Sequence, residues 1–307
     1  MEGELASVDG AIKDRIKSSY PELNEMCEAV LNSRYHEIIP ALSILSYYLN
    51  GGKDPKEAAA NAVCFKLTFD GLRMHDLIDE KGHALTMRKK KLFAKEPSTT
   101  KVIVAGDFLY VLGFRHAYSS CPKAVPYLIR GATSIADATF DIVSDSRDPE
   151  ISCEKVMDDM RKKSAVEFQI IFESAAALAC ADEDALRRMG ECGLLIGTAI
   201  QIRRDMEDLF GDGDRPRCRT LLMGTPTLIL FHAMNDPSIG RSVRDAYTGT
   251  GLTQKDVVAV ARSIKSSDSV SKCQAVIEDC KRKASDIVSG LPEDRYSAAL
   301  LEFIGTI

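Results

Sequence analysis

Apolar residues recur every three or four positions along nearly the whole of this sequence, and alternating runs bounded by turn residues are almost absent. That period matches the turn of an α-helix and not the two-residue pleat of a strand, so the chain is expected to be all-α. Clusters of Gly, Pro, Asn and Asp interrupt the pattern at 50–55, 96–98, 120–122, 145–149, 211–216, 235–238, 248–251 and 290–294. Such residues favour the turn conformations that end helices. The segments between them have the lengths that build a bundle. Two stretches, 175–181 and 193–200, are apolar almost all round and belong at its centre. No break is long or biased enough to divide the chain, and no internal repeat is visible, so residues 1–307 are expected to form a single large helical domain.

Composition removes several classes of function. With 307 residues, 45% of them hydrophobic, the chain can bury a sizeable core. A net charge of -5 gives no overall basic field, so nucleic acid is not an expected partner. No apolar run reaches the roughly 18 residues that cross a bilayer; the longest candidate, 37–49, contains Pro40 and two serines. The first ten residues lack the basic-then-apolar pattern of a secretion signal, and a cytoplasmic location is expected. The nine cysteines are scattered without Cys-x-x-Cys or zinc-like spacing and read as reduced, mostly buried residues.

Three features carry chemistry. At the end of a long helical pattern beginning near Pro55 stand His75, Asp76, Leu77, Ile78, Asp79 and Glu80. Read as helix, this segment puts Asp76, Asp79 and Glu80 on one face, where carboxylates can hold Mg²⁺; alternatively, it is a solvated acidic helix end. The second feature, Gln201 to Asp208, continues directly from the apolar 193–200 stretch, with Gln201, Asp205 and Asp208 on one polar stripe. Asp205 and Asp208 can equally pair with Arg203, Arg204 or other surface charges. The third is Lys162-Lys163-Ser164-Ala165, placed where a charged segment gives way to an apolar one; a lysine there can point into a cavity as a phosphate contact or turn back to solvent.

Together and in this order, the segments His75–Glu80, Ala105-Gly106-Asp107-Phe108-Leu109, Lys163-Ser164-Ala165 and Gln201–Asp208 resemble the motifs of the trans-isoprenyl diphosphate synthases, or polyprenyl synthetases. The stretch 271–292 is also similar to the last long helices of that family. The resemblance implies an all-α bundle of the isoprenoid synthase type, with two acidic motifs facing each other across a central cavity. It implies Mg²⁺ as cofactor and an allylic isoprenoid diphosphate as substrate. By the same resemblance Asp76, Asp79, Glu80, Asp205 and Asp208 are the expected metal ligands. Asp76, Asp79, Asp205 and Lys163 carry catalysis, and Lys163, Gln201, Arg204, His36 and Lys81 contact the diphosphate.

The sequence departs from the pattern at telling places. The first motif shows His-Asp-Leu where two adjacent aspartates are usual, and Arg204 stands where the second motif's leading aspartate belongs. The basic segment expected to hold isopentenyl diphosphate reads Tyr35-His36-Glu37-Ile38-Ile39-Pro40. Arg73, Lys81, the 88–91 run, Arg215, Arg217 and Arg219 are the available substitutes. The leading expectation is Mg²⁺-dependent head-to-tail elongation of an allylic diphosphate, requiring a partner subunit if this chain's site is incomplete. The alternatives are terpene-synthase-like ionisation, which needs no isopentenyl diphosphate, and a non-catalytic subunit of a heteromeric prenyltransferase. A homodimer or a heteromer with another family member is expected.

Overall fold

The computed structural model describes residues 2–32, 38–78, 98–211, 218–249 and 251–307. Every regular element among them is helical. The order is α1 Glu2–Arg15, α2 Pro21–Leu31, α3 Ile38–Leu49, α4 Pro55–His75, α5 Thr99–Ser120, α6 Val125–Ser144, α7 Cys153–Met160, α8 Val166–Leu178, α9 Glu183–Phe210, α10 Arg219–Met223, α11 Leu228–Met234, α12 Gly240–Thr248, α13 Gln254–Lys265, α14 Ser269–Ser289 and α15 Arg295–Thr306. A single π-helical turn, Arg161–Ala165, joins α7 to α8.

Local chemistry explains where the long helices begin and end. Asp54 caps α4 by accepting from the Lys56 amide, with Pro55 in the first turn, a position where a missing N–H costs nothing. Ser98 and Asp182 cap α5 and α9 in the same way. Gly211, at φ 78°, closes α9 in the left-handed conformation that glycine adopts without strain. The apolar stretch 175–181 is not one continuous helix: α8 stops at Leu178, and Cys180 turns the chain at φ 60°.

Two clusters of buried side chains lie at the centre of the packing. One is built largely from α1 to α6 and α8 and holds Phe65, Phe69, Phe168 and Phe172. The other gathers Val156, Leu221, Leu230, Val243, Val257 and Ile264 from α7 and α10 to α13. Helix α9 serves both, with Ile196 and Ile200 in the first and Ala199, Ile202 and Leu209 in the second. Helix α14 is divided likewise: Ala284 and Val288 belong to the first cluster, Cys273, Ile277 and Cys280 to the second. No helix among the described residues is long and apolar enough to cross a membrane.

Candidate diphosphate site

Glycines bring the motif-bearing helices into contact. A methyl group added at Gly71 would lie 2.7 Å from the Gly106 carbonyl, and one at Gly106 would lie 2.9 Å from the Gly71 carbonyl. Helices α4 and α5 therefore meet backbone to backbone, and this seats His75 over the Gly106-Asp107 segment. His75 Nε2 stands 3.2 Å from Asp107 Oδ1 and 3.4 Å from the Ile103 carbonyl. On the other side, a methyl at Gly197 would lie 2.8 Å from Ala165 Cα. Helix α9 thus presses directly on the π-helical turn that carries Lys163.

Helix α4 ends at His75, earlier than the acidic pattern suggests. The Leu77 and Ile78 amides donate to the Met74 and His75 carbonyls at 3.1 Å, a tightened last turn that makes Asp76 the C-cap. Of the three carboxylates expected to share a face, Asp76 alone is among the described residues, just past the end of α4. Asp79, Glu80, Lys81 and His36 lie outside the described residues, as do the 88–91 run, Arg215 and Arg217.

Asp76 is gripped from two directions. Lys163 Nζ donates to Asp76 Oδ1 at 3.1 Å, joining the end of α4 to the π-helical turn. Arg219 Nη2, from α10, donates to the Asp76 backbone carbonyl. One helical turn deeper on both helices, Arg73 Nη2 pairs with Glu167 Oε2. Arg73 Nη1 also binds Asp70 Oδ1 at 2.7 Å, and Lys66 Nζ binds Asp70 Oδ2 at 2.7 Å and the Leu31 carbonyl at 3.0 Å. Lys66 and Asp70 are each only 2% exposed. A ladder of ion pairs thus descends from the Asp76–Lys163 mouth into the bundle. Burial raises the Glu167 pKa, against the opposing pull of the Arg73 and Arg204 charges.

The second motif is arranged differently from a row of outward-facing carboxylates. Asp205 and Asp208 are buried. Asp205 Oδ1 accepts from Gln201 Nε2 at 2.8 Å, and the Asp205 charge contributes to the elevated pKa of the Cys273 thiol on α14, after burial. Asp208 Oδ2 accepts from both the Thr220 amide and the Thr220 hydroxyl at 3.0 Å, and the Asp208 carbonyl accepts from the Cys218 amide at 2.7 Å. These bonds hold the start of α10 against α9, and with it Arg219. Arg204 acts electrostatically on Glu167. Among the described residues, no three His, Cys, Asp or Glu side chains are grouped so as to hold a metal ion.

The structure therefore brings Asp76, Lys163, Arg204, Arg219, Arg73 and Glu167 into one electrostatic neighbourhood; Gln201 bonds Asp205 within α9, and Asp208 bonds Thr220 of α10. Glu167 and Lys66 carried a signal not used in reading the sequence. Glu167 is a lone carboxylate at the head of an apolar run, four residues after Lys163; Lys66, Asp70 and Arg73 form a stripe of alternating charge on the helix that also carries Phe65 and Phe69.

Residues 20–264 match the family described as polyprenyl synthetase. The chain is 23% identical to heptaprenyl diphosphate synthase component 2 of Geobacillus stearothermophilus, over 94% of this chain and 90% of that protein. It is also 23% identical to octaprenyl diphosphate synthase of Escherichia coli, over 97% and 93% respectively. Among solved structures, a polyprenyl synthase of Caulobacter crescentus, complexed with calcium and isoprenyl diphosphate, superposes with a TM-score of 0.90. The identity is 21%, and the match covers 99% of this chain and 93% of that one. The heptaprenyl diphosphate synthase of Staphylococcus aureus gives 0.88 at 23% identity, with 99% and 96% covered. The motifs read from the sequence, the all-α bundle that positions them and the match over most of its length agree: this chain belongs to the polyprenyl synthetase family of prenyltransferases.

Proposed function

We propose that the chain is a prenyltransferase subunit that binds the diphosphate of an allylic isoprenoid at the Asp76–Lys163 mouth and elongates it only in company with a second chain of this fold. The observation that carries the reading is the convergence of Lys163 and Arg219 on Asp76 at the end of α4, with the charge of Arg204 felt at the adjoining Glu167. Cations so placed can neutralise the charge that develops when diphosphate departs, which is what ionisation of an allylic C–O bond needs. The alkene of a second substrate then attacks the allylic cation, and a proton is lost. Fully buried Phe65, Phe69, Phe168 and Phe172 furnish an apolar interior that keeps water from quenching the cation.

The family is in general Mg²⁺-dependent. At the first motif Asp76 is the described oxygen donor, and its carboxylate is shared with Lys163.

Dependence on a second chain is supported by an apolar face on α5 and α6. Val104, Val111 and Tyr118 recur every seven residues along one side of α5 and are 51%, 59% and 81% exposed. On α6, Ile129, Phe140 and Val143 are also exposed. Apolar surface gathered in this way marks an interaction site rather than a solvated helix face. Two relatives are themselves named as component 2 of a heptaprenyl diphosphate synthase.

The test is to incubate the purified chain with Mg²⁺ and farnesyl or geranylgeranyl diphosphate, with and without isopentenyl diphosphate. The same assay is then run after co-expression with a polyprenyl synthetase bearing both complete aspartate motifs. Longer diphosphates are expected only from the co-expressed pair, above what the partner makes by itself. Efficient elongation by the isolated chain would remove the partner requirement. Release of hydrocarbon or alcohol without isopentenyl diphosphate would instead support ionisation of the terpene-synthase kind.

A further inference from the structure

Residues other than glycine that adopt the left-handed backbone region carry strain, and a fold keeps them where the geometry they impose is needed. Among the described residues Arg147, Cys180 and Cys218 do so, at φ 62°, 60° and 63°. Two of these bracket one short helix. Cys218 precedes α10, and the Arg147 amide donates at 2.9 Å to the carbonyl of Gly224, the left-handed residue that ends α10 at φ 66°. Helix α10 has five residues, too few to hold its shape alone. It carries Arg219, whose guanidinium reaches the Asp76 carbonyl at the mouth of the site.

Both ends of α10 are clamped. At the start, Asp208 accepts from the amide and the hydroxyl of Thr220. The last carbonyls of a helix have no partner within it, and the turn between α6 and α7 supplies one for each here. Ser146 Oγ donates to the Met223 carbonyl at 3.0 Å, and Arg147 Nη2 to the Leu222 carbonyl at 2.6 Å. Arg147 Nη1 reaches further, to the Tyr247 and Gly249 carbonyls at 3.0 and 2.9 Å, where α12 ends. A planar fork of fixed donors can hold two segments at once, which the single nitrogen of a lysine cannot. The grip extends to the side chain of Arg219, because Arg219 Nε donates at 3.4 Å to the sulfur of Met223, at the end of α10 that Ser146 and Arg147 hold.

We infer that Arg147 is a positioning residue for the diphosphate site: it fixes the end of α10 so that Arg219, one helical turn away, is aimed at the Asp76–Lys163 mouth. The inference rests on the proposed binding of an isoprenoid diphosphate there. Arg147 acts through α10 and not on the ligand, since its guanidinium is occupied by backbone carbonyls.

Calorimetric titration of the full chain with farnesyl diphosphate in excess Mg²⁺ tests this through a double-mutant cycle. Arg219→Ala is expected to weaken binding roughly tenfold, the loss of one charge-assisted contact. Arg147→Ala should weaken it by a comparable factor of about five to ten, and the double variant should bind within about twofold of Arg219→Ala, because nothing is left to position. Thermal midpoints give the contrast: the destabilisation by Arg147→Ala is structural and should persist when Arg219 is absent. Arg147→Lys keeps the charge and the stem but not the fork; it should lose affinity as Arg147→Ala does, and it takes that variant's place if circular dichroism shows the alanine form unfolded. In the wild-type chain, farnesyl diphosphate should slow deuterium uptake at the Arg147 amide as well as in α10, a measurement that needs no variant. Affinity losses that add, an Arg147 or Arg219 variant that binds like wild type, or unchanged uptake at Arg147 would each overturn the inference and leave binding of the diphosphate standing. No binding by the wild-type chain overturns both.

Discussion

At the scale of single residues, the ladder Lys66–Asp70–Arg73–Glu167 is the least forgiving part of the molecule. Asp70 faces two cations at 2.7 Å with almost no access to water. Removing one partner of a buried pair leaves an uncompensated charge. Asp70→Ala is therefore expected to destabilise the fold by about 3–5 kcal/mol, whereas a joint Lys66→Met, Asp70→Leu exchange should cost far less. Urea denaturation of the two variants checks the contrast. Asp70 had no evident role in the sequence, since a lone aspartate before the first motif looks misplaced on an apolar helix. Its two partners stand four residues before and three after it on the same helix; what no local spacing encodes is the pairing of Arg73 with Glu167 of α8, across 94 positions.

A second residue-scale expectation concerns His116, which is 5% exposed. Burial, reinforced by the charge of Arg15, lowers its pKa from 6.5 to about 4. The unfolded chain therefore takes up a proton as pH falls below 6.5, while the folded chain resists until about 4. The sign is definite: stability is lost as pH drops through that window. His116→Phe should flatten this part of the pH profile, measured by denaturant midpoints at several pH values.

At the scale of elements, the helix ends marked by Gly, Pro, Asn and Asp were legible because those residues act through their own backbone chemistry. The turn at 179–182 was not, because its left-handed residue is Cys180, in a run of alanines that favours helix. The π-helical turn at 161–165 was equally hidden, since an extra residue in a helical turn leaves no mark in an apolar pattern. It matters because it rests on Gly197. Gly197→Ala would place a methyl 2.8 Å from Ala165 Cα and 2.9 Å from the Ala165 carbonyl, so α9 must move outward. A loss of about 1–3 kcal/mol is expected. Affinity for pyrophosphate should fall with it, because the same shift disturbs the turn that carries Lys163; paired calorimetric and thermal measurements read both effects.

At the scale of the whole molecule, the exposed stripes on α5 and α6 predict association. Val111→Glu combined with Phe140→Glu should leave helicity unchanged by circular dichroism and shift the assembly towards monomer in analytical ultracentrifugation. An unchanged assembly would place the contact elsewhere. The bundle itself was readable from periodicity, and the family from the order of its motifs. The state of the second motif was not, because the spacing of Gln201, Asp205 and Asp208 says nothing of Thr220, which comes from a separate helix. Helices α9 and α14, finally, each lend side chains to both buried clusters. Neither cluster can open without stripping one flank of these two rods, so their amides should exchange with solvent only through openings that involve the entire bundle. An anion seated on the polar end of α9 would then slow deuterium uptake in helices that never touch it.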